Sequence, residues 1–157
     1  MKKEVQSHLM NILHGSYRLK RNIDDPYLAI EGSADFYHES KHCIRYQEHG
    51  YYFLNHTKQQ FYQERYFIFE GETLTICTSD KAVLHEFSLY DAHPPSYHFS
   101  HVHLCHHDEY LLSLHLDHNV IIMDYQVRGP LKRYDMQTAL VRSTEDHEYD
   151  PNDVPVG

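Results

Sequence analysis

YHFSHVHLCHHDEYLLSLHL, residues 97–116, sets how the whole chain is read. It carries six histidines and a cysteine, and His101, His103 and Cys105 recur at a spacing of two. In extended backbone alternate side chains share a face, so these three point the same way. Twenty extended residues would span roughly 65 Å at about 3.3 Å each, more than one strand of a small domain covers. The run therefore bends, and the polar His106-His107-Asp108-Glu109 is the place to do it. A symmetric two- or four-residue turn there predicts Cys105 opposite Tyr110 and His103 opposite Leu112, and opposed residues share a face. Phe99, His101, His103 and Cys105 then join Tyr110, Leu112, Leu114 and Leu116 on one side. Leucines belong inside, and the histidines and the thiol go in with them.

The same period continues upstream and downstream. Tyr17 and Leu19 alternate with charged neighbours, and Ile30, Ala34 and Phe36 alternate with Glu31, Ser33 and Asp35. Ile44, Tyr46 and Glu48 share a face in a run that ends at Gly50. Further on, Phe61, Gln63, Arg65, Phe67 and Phe69 form one parity and Tyr62, Glu64, Tyr66 and Ile68 the other, so either face can be the inner one. Turn chemistry punctuates these runs at Asp24-Asp25-Pro26, Thr57-Lys58-Gln59, Gly71-Glu72, Ser79-Asp80-Lys81, Asp117-His118-Asn119 and Arg128-Gly129-Pro130. Gly32 inside its strand marks a bend or bulge, and Pro94-Pro95 cannot join a central ladder, which makes DAHPPSYH a surface loop.

Only residues 3–14 keep the helical period. Val5, Leu9, Ile12 and Leu13 form one stripe, Gly15 stops it, and His14 lies in the last turn beside the negative end of the dipole. About nine or ten strands with one N-terminal helix predict an all-β fold, an antiparallel up-and-down β-barrel over residues 1–142 plugged by that helix. A two-sheet sandwich is the alternative, and the lack of strand–helix–strand units excludes α/β folds. Residues 143–157 are acidic, contain proline and hold few large apolar groups, so they read as a loosely ordered tail.

Composition narrows the function classes. The 157 residues carry 14 Lys and Arg against 23 Asp and Glu, a formal charge of −9, which offers no footprint for nucleic acid or an anionic membrane. The 14 Tyr and 7 Phe, with no Trp, favour half-buried pleated surfaces. Cys43, Cys77 and Cys105 make an odd set without a signal peptide or a spanning segment, which predicts free thiols in a soluble, cytoplasmic protein.

An ordered series of motifs adds a family. The chain opens with Leu13-His14-Gly15-Ser16-Tyr17-Arg18-Leu19-Lys20-Arg21 and continues with Gly32-Ser33-Ala34-Asp35-Phe36, Tyr46-Gln47-Glu48-His49-Gly50 and Arg65-Tyr66. His103-Leu104-Cys105-His106-His107-Asp108-Glu109-Tyr110 and Val127-Arg128-Gly129-Pro130-Leu131-Lys132 close the series. Over residues 13–142 these resemble the DUF6314 family of small bacterial proteins. The resemblance implies a lipocalin- or calycin-like barrel and carries no catalytic roles. Tyr17 and Tyr125 stand where the family pattern has tryptophan, a difference that bears on packing rather than fold.

Two constellations carry chemistry. His101, His103 and Cys105 present imidazole and thiolate from one strand face, a donor set that suits zinc, with Asp108 or a distant residue completing the shell. The same pattern arises when polar groups line a ligand cavity, or when buried histidines are hydrogen-bonded beside a small apolar cysteine. Haem ligation by a histidine in an apolar barrel belongs to the metal reading, and no motif names a cofactor. The second constellation is Glu48 with Arg65, an interior ion pair able to fix a polar or anionic ligand, with hydroxyls from Tyr46 and Tyr66. An exposed cross-strand pair is its bland counterpart. Cys105 as an imidazole-activated nucleophile is disfavoured, because His106 points to the opposite face if the strand continues that far and His103 is a neighbour about two residues away, and Arg128-Gly129-Pro130-Leu131-Lys132 reads as a turn rather than a phosphate loop. The candidate ligand-binding residues are therefore Tyr46, Glu48, Arg65, Tyr66, His103, Cys105, Tyr110 and Tyr125. The expected function is binding of a small, partly apolar molecule inside the barrel. Its alternatives are a metal- or haem-binding protein or enzyme using His101, His103 and Cys105, and a solid-core barrel acting through its surface.

Overall fold

In a computed structural model, which describes residues 2–143, the period-two runs pair successively into one sheet. The elements are α1 (Lys2–Leu13), β1 (Gly15–Asp24), β2 (Tyr27–Ser40), β3 (Cys43–Leu54), β4 (Thr57–Glu70), β5 (Thr73–Cys77), β6 (Val83–Ser88), β7 (Tyr97–Cys105), β8 (Asp108–Leu116), β9 (Val120–Arg128) and β10 (Arg133–Arg142). The expected loosely ordered tail lies outside the described residues apart from Ser143, whose N–H donates to the Ser16 carbonyl at 2.9 Å. The helix α1 is too short and too polar to cross a membrane.

Every ladder is antiparallel, and β1 pairs with both β2 and β10, so the first and last strands meet. The free edges fall in the middle of the chain, at β6 and β7. The proline-containing loop between them carries the chain across this seam. Side chains close it, with the rings of Phe87 and Phe99 5.4 Å apart and Nδ1 of His85 3.0 Å from Nδ1 of His101. The result is the nearly closed up-and-down barrel expected from alternation.

One parity of each strand builds the interior. Tyr17 and Leu19, Ala34 and Phe36, Ile44 and Tyr46, Phe67 and Phe69, Leu74 and Ile76, and Leu112, Leu114 and Leu116 are all buried. On β4 the inner face is thus the one holding Arg65. The β3 run does not stop at Gly50 but continues to Leu54, because Gly50 pairs with Gly32 where the two backbones approach too closely for a side chain on either. The bulge expected at Gly32 sits instead between His38 and Ser40. Asn55 and His56, both at positive φ, make the next turn, and Thr57-Lys58-Gln59 opens β4.

The opening stretch forms a hairpin around His106-His107, pairing Cys105 with Asp108, His103 with Tyr110 and His101 with Leu112. This register differs by two residues from the expected one. A slip of two preserves parity, so the shared face survives.

Leu9, Met10, Ile12 and Leu13 of α1 are buried in the same core and close one end of the barrel. Gly15 does not cap the helix. It opens β1 at φ +133°, where a side chain would run into the Arg142 guanidinium. That guanidinium is the cap, donating to the carbonyls of Ile12 and His14, the latter at 2.7 Å. A cation at this end also complements the helix dipole.

Candidate functional site

A cavity of about 380 Å³ lies in the half of the barrel away from α1. The course of β7 places it: Tyr97 at its start bonds His8 of the helix at 2.7 Å, whereas His103 and Cys105 at its far end line the cavity. Phe67, Ile76, Leu112, Met123, Val127 and Met136 supply apolar wall, and Tyr46, Tyr110, Tyr125 and Tyr134 supply rings with hydroxyls.

Seven of the eight expected ligand-binding residues line this space: Tyr46, Glu48, Arg65, His103, Cys105, Tyr110 and Tyr125. Tyr66 does not. It shares the outer face of β4 with Glu64, its cross-strand partner is Arg45, and Lys81 Nζ stands 3.7 Å over its ring. Outside, Glu64 bonds Gln47, Tyr62 and Arg45, which hold its carboxyl down to about 2.

The expected Glu48–Arg65 pair is replaced by another. Glu48 Oε2 accepts from Arg21 Nη2 at 2.6 Å and from the Tyr46 hydroxyl, while Arg21 Nε donates to Thr138 Oγ1 at 2.6 Å. Register explains the exchange. Tyr46, not Glu48, sits opposite Arg65, whereas small Ala34 and Gly32 on the intervening β2 leave room for Arg21 to reach across from β1. Glu48 is 0% exposed and Arg21 7%. Burial, followed by the Glu48 charge, pushes the Tyr46 phenol well above its ordinary range and keeps it a donor. Glu48 Oε1 is buried with no hydrogen-bond partner among the described residues. Arg65 donates through Nη1 to the Glu64 carbonyl at 2.9 Å and pairs with no carboxylate among the described residues.

The histidine face is a parity and not a coordination sphere. His101 turns Nδ1 toward His85 at the seam, His103 stands beside Tyr110, and Cys105 is exposed at the rim opposite Asp108. Among the described residues no three His, Cys, Asp or Glu side chains converge in a metal-ligating arrangement. The Arg128–Lys132 segment is a turn closed by Gly129 N–H to the Lys132 carbonyl, and its cations are engaged with Asp135 and Tyr110.

His85 is the buried histidine that sequence reasoning missed. Its Nε2 lies 3.0 Å from the Tyr125 hydroxyl, so the ring links seam to cavity. Burial, reinforced by His101 and His103, lowers its pKa to about 3, and burial raises that of Tyr125 to about 12. The unfolded chain would protonate this imidazole below about pH 6.5, the folded chain only near 3, so stability is full above that window and falls as pH drops through it. The urea midpoint should decrease from about pH 6.5 to pH 5, before the carboxylates titrate, and His85→Leu should flatten that decrease. A wild-type midpoint that stays constant there would show that His85 is not held neutral.

Comparison with known proteins agrees with this architecture. The S-type phycobiliprotein lyase CPES from Guillardia theta superposes with a TM-score of 0.61 at 9% identity, over 91% of this chain and 97% of that one. The barrel EF1p2_mFAP2b bound to DFHBI gives 0.51 at 10% identity, over 88% and 99%. At such identities the likeness is one of fold. No curated protein matches the sequence. The model of the DUF6314 family, a family of unknown function, matches residues 13–142, and the chain belongs to that family.

Proposed function

We propose that this barrel binds a small, partly apolar molecule in its interior. The observation that carries the reading is the cavity: the helix end is filled by aromatic and aliphatic side chains, while the opposite half keeps about 380 Å³ between apolar walls and an internally bonded Arg21–Glu48–Tyr46 group. That volume falls in the range of small-molecule sites. A few fixed polar groups in an apolar wall orient a ligand, and their buried bonds hold them in place without one. An open half-barrel favours this reading over a solid-core interaction module, and the dispersed donors of His101, His103 and Cys105 give the metal reading no comparable support. The same architecture accommodates DFHBI in EF1p2_mFAP2b.

The test uses an uncharged fluorophore, N-phenyl-1-naphthylamine, with native mass spectrometry of the purified chain for a retained molecule. Saturable binding is expected, and Met136→Trp, which fills the cavity from β10, should weaken it about tenfold or more. Val141→Trp on the outer face of the same strand should leave it unchanged. No binding, or equal binding by the filled variant, overturns the reading.

A further inference from the structure

The charges lining the cavity do not cancel. Two guanidiniums and one carboxylate face it, and Arg21 with Glu48 neutralise each other at 2.6 Å. Arg65 is left over. The carboxylate next to it in sequence, Glu64, points outward and is taken by Arg45 at 2.6 Å. A half-buried cation in an apolar-walled space has lost part of its hydration without gaining a counter-charge, and an anion entering the cavity supplies one.

The surroundings of Arg65 refine what that anion is. The Tyr46 hydroxyl is committed to Glu48 and that of Tyr125 to His85. Gln63, two residues from Arg65 on the same face of β4, lines the cavity with an amide that bonds to no described residue. Arg65 and Gln63 together offer several N–H donors from one strand, the arrangement that takes a planar acid group. Glu48, directly opposite Gln63 on β3, is already balanced by Arg21 at 2.6 Å, so Arg65 is a single uncompensated cation and balances one acid group rather than two. We infer that the ligand is a small amphipathic monoanion, an apolar body with one carboxylate-type head held by Arg65 and Gln63. This rests on the interior-binding reading above and adds to it the charge of the ligand.

Matched probes separate the two. Decanoic acid, decanamide and decanedioic acid are titrated at pH 7.5 against bound N-phenyl-1-naphthylamine. The monoacid should displace it roughly ten- to a hundredfold more effectively than the amide, and more effectively than the diacid. Arg65→Met should bring the acid down to the amide while leaving the amide unchanged, which also reports that the variant is folded. Arg65→Lys should keep part of the preference, since a point charge replaces the planar fork. Equal displacement by acid and amide, or an acid preference that survives Arg65→Met, overturns the anion inference while interior binding stands. Failure of the fluorophore to bind wild-type protein overturns both.

Discussion

Glu48→Ala is expected to cost about 3–5 kcal/mol of folding stability, the range seen when one partner of a buried ion pair is removed. The reason lies in what the carboxylate leaves behind. Arg21 is 7% exposed and its side-chain hydrogen bonds among the described residues go to Glu48 and Thr138, so without Glu48 a guanidinium stays inside the barrel beside one neutral hydroxyl and the Phe61 ring. The Tyr46 hydroxyl, wholly buried, loses its acceptor as well. An unpartnered buried polar group carries its full desolvation penalty, which exceeds the modest net value of the bond itself. The pair as a whole need not stabilise the fold, because hydrophobic replacements of similar volume are often neutral or better. Arg21→Met combined with Glu48→Leu should therefore recover most of the loss. Urea unfolding at neutral pH decides it, with the slope of the transition as a check on two-state behaviour. A Glu48→Ala loss below about 1 kcal/mol at unchanged slope would mean that water reaches Arg21 and that the group is not a buried pair.

Much of this group was within reach of the sequence. The step of two that puts Tyr17 and Leu19 inside arrives next at Arg21, and the step that buries Leu140 arrives at Thr138. Alternation fixes facing: Glu48, Arg65 and His103 turn toward the interior, whereas Cys105 keeps the same parity but lies exposed at the rim. Facing does not fix partners, which depend on register across three strands and on the small residues between them, so alternation alone pairs Glu48 with Arg65 where Ala34 and Gly32 open the way to Arg21. Alternation likewise set the histidine face but not where along the barrel each histidine falls. His101 meets the seam, and the seam itself has no sequence period, because it exists only where β6 and β7 fail to pair. His85 is legible as an inward position beside Phe87, yet its role as the link from His101 to Tyr125 follows from closure alone.

The second large effect belongs to the closed end. Arg142→Met should lower stability by about 2–4 kcal/mol, because one buried and two half-buried carbonyls lose a donor at once. Arg142, 8% exposed, donates to Ile12, to His14 at 2.7 Å and to His118 at 2.9 Å, and Nη2 reaches the Tyr17 hydroxyl at 2.7 Å. That hydroxyl in turn lies 2.8 and 2.9 Å from the carbonyls of Ile12 and Leu13. The last turn of α1 is thus tied to β1, to β10 and to the loop before β9 through one planar group. Methionine keeps the apolar stem and removes the donors. The loss should be local: amide exchange in α1 should accelerate, whereas binding of N-phenyl-1-naphthylamine at the other end should change less than about twofold. Arg142→Lys separates charge from geometry. An ammonium still complements the helix dipole but cannot span the carbonyls of both Ile12 and His118, so it should restore only a minor part of the loss. Full restoration by lysine would assign the anchor to the dipole alone, and unaltered exchange in α1 after Arg142→Met would mean that the buried stripe of Leu9, Ile12 and Leu13 holds the helix in the barrel without its cap.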